Sequence, residues 1–429
     1  MDNEKKFQEC RDTENGTKER DLQHATSDIG ALLHIVKSSL GAGVLAMPFA
    51  FKNAGLLIGV IGSIFIGITV THCTTLLVDS TQKLRKIFNR TNMTYADTVE
   101  CAFIHGYKGK LKHHAFKARY MVNFFLFFTY YGVLIYYVLI ISSTFKQITE
   151  EYFKISIDIR IYIAFLTLVL YPTSIIRFLK YLVPFSAVAN ICLMVALGMI
   201  FLQLFKDLPP LNSRPALQMP NQWPLFIATC FTSMEGIGTI LPLENEMKNP
   251  LHLIHSSRLL YIGMVFSVFV NLFVGFFGYL KYGNDVAGVI SLNLPEDWIS
   301  ECVKATVGLT VLLTYGLQMA APMEVVWGEL SKTKKKQNNL HYYILRSILI
   351  IGTIIIAILM PSIAGIIGVI GSLGFSMLGI FIPALIDLIY HSDDQSILRQ
   401  IKNVCLLLFA LFCAIVGFYY SVIQLIQDI

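Results

Sequence analysis

Charge is what this chain of 429 residues lacks most, since 14% of its residues are Asp, Glu, Lys or Arg. A soluble chain carries about a quarter, so an ordinary water-soluble domain is excluded. The net charge of +6 does not indicate nucleic-acid binding, because the basic residues flank apolar runs instead of forming one basic face. The eight cysteines show no metal-ligand spacing, and Cys302 alone lies near a loop expected on the outer side. His-Glu-x-x-His and Gly-x-Ser-x-Gly are both missing, which removes the clearest marks of an embedded hydrolase. No enzyme, metal or cofactor is therefore expected. No signal peptide precedes the first apolar run, so that run is expected to act as the insertion signal.

What is present is hydrocarbon. Apolar residues make up 55% of the chain, and the mean hydropathy is +0.61. They gather in segments near 29–51, 55–79, 120–147, 160–178, 181–205, 223–244, 258–283, 302–330, 342–360, 363–391 and 403–427. Each reaches the length needed to cross a hydrocarbon core of about 30 Å. The expected fold is an all-α polytopic membrane protein with eleven transmembrane helices. Residues 1–27 carry seven acids against five bases and no apolar pattern, and read as a disordered cytosolic tail before a transporter domain at 28–429. Of the 34 Lys and Arg residues, 25 fall on the cytosolic side if the N-terminus is cytosolic, 8 fall outside, and Lys37 lies within the first span. That bias follows the positive-inside rule.

Two apolar segments are interrupted where a membrane helix should be most regular. In the first, Ser38, Ser39, Gly41, Gly43 and Pro48 weaken the helix; in the sixth, Ser233, Gly236, Gly238 and Pro242 do so. Backbone groups freed at such depth cannot face lipid, where each costs several kcal/mol. A kink for packing would explain either break alone. Paired breaks in corresponding halves point to the binding site of a secondary transporter. Breaks in spans one and six mean units of five helices, so the second unit must enter the membrane inverted. This gives a five-plus-five inverted repeat over about 29–205 and 223–391, with 403–427 as an added helix. Small residues at Gly55, Gly59, Ser63 and Gly67, and at Gly365, Gly368, Gly371 and Gly374, read as packing ridges.

The residues around the breaks carry a resemblance. His34-x-x-Lys37, the run Gly41 to Pro48 and Lys52-Asn53-Ala54-Gly55 resemble the opening of the proton-coupled amino acid transporters, within the amino acid/auxin permease group. Met234-Glu235-Gly236-Ile237-Gly238 and the run Leu241 to Pro250 look like that family's sixth-span signature. The chain departs from it at Ser38 and Ala42, where the family often has Gly and Thr. The resemblance implies eleven helices and proton-driven uptake of small neutral amino acids, with protons and membrane lipid as the other partners. It fits the plasma membrane or the lysosomal membrane equally.

Chemistry then assigns roles. A zwitterion brings a carboxylate that needs donors and an ammonium that needs acceptors. The free N–H groups around Gly41, Ala42, Gly43 and Val44 begin a second half-helix and suit the carboxylate. Carbonyls from Cys230 to Ser233, with Gly236 and Gly238, suit the ammonium and the close approach of a ligand. Tyr130 or its neighbour Tyr131 could add a hydroxyl. His34 lies a turn or two before the first break; the resemblance ties it to proton coupling, and a neutral buried imidazole is the plainer reading. Glu235 stands within the second break, either as a proton carrier or as an acceptor for loose N–H groups. A sensor of the same fold and a sodium-coupled symporter remain as alternatives.

Overall fold

The computed structural model describes residues 26–106, 110–175, 179–234, 236–255, 258–333, 339–390 and 396–428, the side chains of 179–186 and 331–333 excepted. Glu235 and residues 1–25 of the tail lie outside the described residues. Among those described the chain is helical, with an isolated Thr26–Met247 bridge as its one β pairing. Among the described residues ten helical stretches are long and apolar enough to cross a membrane, and the protein is an integral membrane protein. The expected fourth span falls on a shorter helix, Ile159–Ser174. Its 16 residues extend about 24 Å at 1.5 Å per residue, less than the hydrocarbon core.

The first span is two pieces. Helix α1 (Asp28–Ser39) is capped by Ser27, whose Oγ accepts from the Gly30 N–H, with Asp28 in its first turn. A tight 3₁₀ turn over Ala42–Ala46 follows, and α2 (Met47–Ala54) restarts with Pro48 near its beginning. It stops at Gly55, where φ is +85° and a Cβ would lie 2.6 Å from the Ala216 carbonyl. Next come α3 (Leu56–Ile87), α4 (Tyr95–His105), α5 (Ala115–Phe153), α6 (Ile159–Ser174) and α7 (Leu179–Leu204). The sixth expected span is again two pieces, α8 (Trp223–Ser233) and α9 (Ile237–Glu246). Then follow α10 (Leu259–Tyr282), α11 (Trp298–Gln318), α12 (Ala320–Thr333) and α13 (Asn339–Leu359). The segment expected as one span over 302–330 bends between α11 and α12. Pro322 cannot donate to the Gln318 carbonyl one turn earlier, which explains the bend. The last elements are α14 (Ile363–Val369), wide π turns over 370–375 and 377–381, α15 (Ile382–Tyr390) and α16 (Ile397–Asp428).

The core forms where broken and unbroken helices meet. α10 lies along α1, α2 and α3, and α2 lies along α8. Helix α5 packs against α4, α11, α12 and α13 and supplies the wall behind the breaks. The expected ridges are packing surfaces. A Cβ at Gly59 would meet the Phe51 ring, one at Gly67 would meet Val268, and Ser63 Oγ sits 3.7 Å from Cys230 Sγ. In the second ridge, Gly371 abuts the Ala228 carbonyl and Gly374 abuts Thr129, where the chain is wound as π helix. Such wide turns recur next to functional sites. For reference, the near side of the membrane is taken as the one holding Thr26, and the far side as the one holding Gly55.

Candidate functional site

The two breaks meet. Gly43 presses on the end of α8, so that a Cβ there would stand 2.7 Å from Ser233 Cα and 2.8 Å from the Thr232 carbonyl oxygen. Ser233 Oγ donates to the Gly43 carbonyl at 2.8 Å. Two further donors hold the first break: Tyr136 from α5 donates to the Ala42 carbonyl at 3.1 Å, and Ser267 from α10 donates to the Ser39 carbonyl at 2.8 Å. Carbonyls freed in mid-membrane are thus met by protein hydroxyls, as burial requires. The Val44 N–H closes on the Gly41 carbonyl at 3.2 Å, so it is engaged in the 3₁₀ turn. Gly41 itself faces open space, with a Cβ meeting nothing nearer than the Ser38 carbonyl at 4.0 Å.

On the second break, Met234 N–H still bonds the Cys230 carbonyl at 3.0 Å, and the helix turns over there. Gly236 starts α9 next to the first break, where a Cβ would lie 2.9 Å from Ser39 Oγ. Thr239 Oγ1 and N–H both reach back to the Gly236 carbonyl, at 2.8 and 3.1 Å, and cap the new half. Tyr130, buried in α5, places its hydroxyl where a Cβ of Gly238 would be. Tyr131 turns away and donates to the Leu349 carbonyl of α13 at 2.9 Å. Of the two expected tyrosines, Tyr130 is the one at the break.

A narrow crevice opens beside Gly236. It is lined by Val70 and Thr74 of α3, Met234, Ile237 and Ile240 of the sixth span, and Met264 of α10. No charged side chain lines it among the described residues. His34 is exposed on α1, on the near side of the break, within electrostatic reach of Lys37 and Glu246. It is not a sealed core histidine. His72 of α3 places Nε2 2.9 Å from Lys402 Nζ of α16.

Several residues at the site carried no sequence signal of their own. Tyr136 stands in an aromatic run where any of several rings could face inward. Ser267 and Met264 belong to an uninterrupted apolar helix. Arg85, read only as a loop charge, reaches Glu244 with two nitrogens at 3.1 and 2.8 Å and Asn245 at 2.8 Å. Glu244 is fully buried, so this pair locks the near end of α9 to α3. The segment just before α1 joins the same closure: Thr26 N–H donates to the Glu246 carbonyl at 2.8 Å, and Lys248 N–H to the Thr26 carbonyl at 3.1 Å. Asp28 meets His252 at 2.7 Å.

Charges outside the spans follow ordinary electrostatics. Burial pushes the Asp97 carboxyl up, but Arg119 at 2.6 Å and the Thr94 capping bonds outweigh it and hold it below its usual range. Asp297 is also lowered, first by its bonds to Ser300 at the start of α11.

Paired breaks, closed by a carboxylate lock on one side and lined by neutral groups among the described residues, suit a carrier of small polar molecules. The family model described as transmembrane amino acid transporter protein matches residues 24–427. The chain belongs to that family. It is 36% identical over 376 residues to a fruit-fly (Drosophila melanogaster) protein described as the proton-coupled amino acid transporter-like protein pathetic, covering 87% of this chain and 79% of that one. It is 24% identical over 421 residues to amino acid transporter AVT3C of Arabidopsis thaliana, covering 93% and 91%. The family is one of transporters, in keeping with the lack of enzyme motifs.

Proposed function

We propose that this transporter carries small neutral amino acids together with protons, as a secondary active symporter. The observation that carries the reading is the contact between the two breaks beside a crevice lined by neutral side chains. A substrate there must satisfy its charged ends on backbone groups, which a zwitterion does and an ion of one sign does not. The carboxylate is assigned to the N–H groups of Ala42 and Gly43, reached over the open face of Gly41. Val44 is already bonded in this conformation and takes part only if the 3₁₀ turn loosens. The ammonium is assigned to carbonyls at the end of α8 around Ser233. Apolar lining by Ile237, Ile240 and Met264 favours a small uncharged side chain. Gly236 borders the crevice, and the Tyr130 hydroxyl packs against Gly238.

Proton coupling is assigned to His34, whose exposed ring on α1 can meet water and Glu246 as the near side opens. Glu235, outside the described residues, is the second candidate. The orientation proposed puts the near side in the cytosol, eleven spans in the membrane and the far side outside or in a lysosomal lumen. In support, Arg85, Arg119, Arg399 and Lys402 all gather at near-side contacts.

Uptake of an amino acid panel by reconstituted protein tests the reading, under a proton gradient and under a sodium gradient. Alanine-sized substrates should accumulate with the proton gradient alone. His34→Ala should lose that accumulation and keep exchange of labelled substrate. Accumulation with sodium only would replace the proton, and absence of any exchange would leave a sensor in place of a transporter.

A further inference from the structure

Where α5 leaves the membrane on the near side, its surface divides by charge. Between Glu100 and Glu150 the chain holds no Asp or Glu, and Lys110, Lys112, Lys117 and Arg119 gather in one stretch of it with His113 and His114. Arg119 turns inward, to Asp97 at 2.6 Å, Glu100 at 2.5 Å and Glu329 at 3.5 Å. The lysines and both histidines are exposed instead. Among the described residues no carboxylate meets Lys110 or Lys117. On the same surface Phe116 and Tyr120 are 57% and 45% exposed, edge to face with ring centroids 4.6 Å apart.

Depth decides what this surface meets. In a transporter built around broken helices the breaks lie near the bilayer midplane, and α5 passes them between Tyr130 and Tyr136. At 1.5 Å per residue, Tyr120 stands roughly 20 Å from that level, and Phe116 and Lys117 about 25 Å. The hydrocarbon ends about 15 Å from the midplane and the headgroup layer about 20–22 Å. The Tyr120 ring therefore lies among headgroups, with Phe116 at their outer edge, where exposed aromatic rings are at home. Lysine stems lie along such a surface and carry their ammonium groups to the phosphates.

We propose that this surface binds anionic phospholipid headgroups of the near-side leaflet, and takes those with several phosphate charges over those with one. The cations call for an anion, and the aromatic pair calls for one attached to a lipid, because a soluble anion has no use for the rings. The far end of the same helix supplies the contrast. Phe145, Tyr152 and Phe153 are exposed there too. At that end, however, Lys146 pairs with Glu150 at 3.9 Å, and Glu151 lies 3.5 Å from Lys304. Charges of both signs balance there and offer an anionic headgroup little net attraction. Anchoring at the near end also fixes the depth of the helix whose Tyr130 and Tyr136 hydroxyls meet the two breaks.

Native mass spectrometry of the purified transporter tests the proposal, with phosphatidylinositol bisphosphate, phosphatidylserine and phosphatidylcholine as probes. Binding should weaken in that order. Lys110→Gln and Lys117→Gln should each weaken the bisphosphate lipid about fivefold, and together about twentyfold, as expected for cations at an anionic surface. Lys146→Gln, at the far end, should leave it unchanged. Phe116→Ala made with Tyr120→Ala should weaken the lipid and leave binding of free inositol trisphosphate as it was. All of these side chains are at least partly exposed, so each variant should melt like wild type. Equal binding of phosphatidylcholine, unchanged binding in the double lysine variant, or an equal loss in Lys146→Gln overturns the proposal. Inositol trisphosphate bound as tightly as the lipid overturns it too, and leaves a site for a soluble anion.

Discussion

The two breaks are built from similar residues and sit in different surroundings. In the most apolar window of each span, 76% of the sixth is buried inside the protein and 44% of the first. The sixth span is gripped on several sides: Thr232 reaches the Ile367 carbonyl, Gly371 abuts Ala228, and Arg85 locks Glu244. The near half of the first span presents Ile29, Leu33 and His34 outward and buries Ala31 and Ile35, the latter against Gly263 of α10. A half-helix with few buried contacts opens at lower free energy than one locked on every face. The sixth span is thus the more firmly held of the two.

Glycine makes the same point within one break. Gly43 is glycine because the α8 backbone touches it, whereas Gly41 has space for a side chain. Gly43→Val should therefore show the largest effect, loss of folded protein. Overpacking costs about 1–3 kcal/mol where side chains can yield, and here the opposing atoms are backbone. Detergent melting would record it; a Gly43→Val protein that melts like wild type and fails only in substrate binding would move Gly43 from packing to ligand contact.

Next in size is Arg85→Ala, which strands the buried Glu244 carboxylate. Removing one partner of such a pair costs about 3–5 kcal/mol, and the melting temperature should fall with it. If the sixth span is locked as described, Glu244→Gln made together with Arg85→Ala should recover part of the loss. No recovery would mean that Arg85 acts elsewhere.

Gly41→Ala should leave melting unchanged and raise the half-saturation concentration several-fold, since the methyl fills the open face through which a carboxylate must approach. Unchanged uptake kinetics would place substrate away from the first break.

The smallest effect concerns acid. Asp97 has its pKa depressed in the folded state, so its pairing contributes stability above the unfolded value of about 3.9 and loses it as pH falls through the lower folded value. Melting should therefore be sensitive to Asp97→Asn near neutrality and lose that sensitivity once pH falls below the lowered folded value. The opposite order would break the assignment of Arg119 as its partner.

Much of this was legible in the sequence. Length and hydropathy alone fix that the chain crosses a membrane many times, because water and hydrocarbon sort residues without reference to their neighbours. Both breaks were legible too, since Gly, Ser and Pro weaken a helix locally. The span count was less secure: α6 is short for a bilayer, and the bend before Pro322 divides a segment that hydropathy alone leaves whole.

Partnership is what the sequence left open. It offered Tyr130 and Tyr131 as equals, and packing turned one to Gly238 and the other to α13. It offered glycines at 41 and 43 as one feature, and the approach of α8 made them two. Arg85 and Glu244 lie 159 residues apart, as Lys304 and Glu151 lie 153 apart, and no spacing rule joins such residues. A broken helix is a local property, written in which backbone conformations a few residues favour. Which donor meets a freed carbonyl, and which face of a break stays open, depends on helices from distant parts of the chain, and the tertiary structure alone decided that.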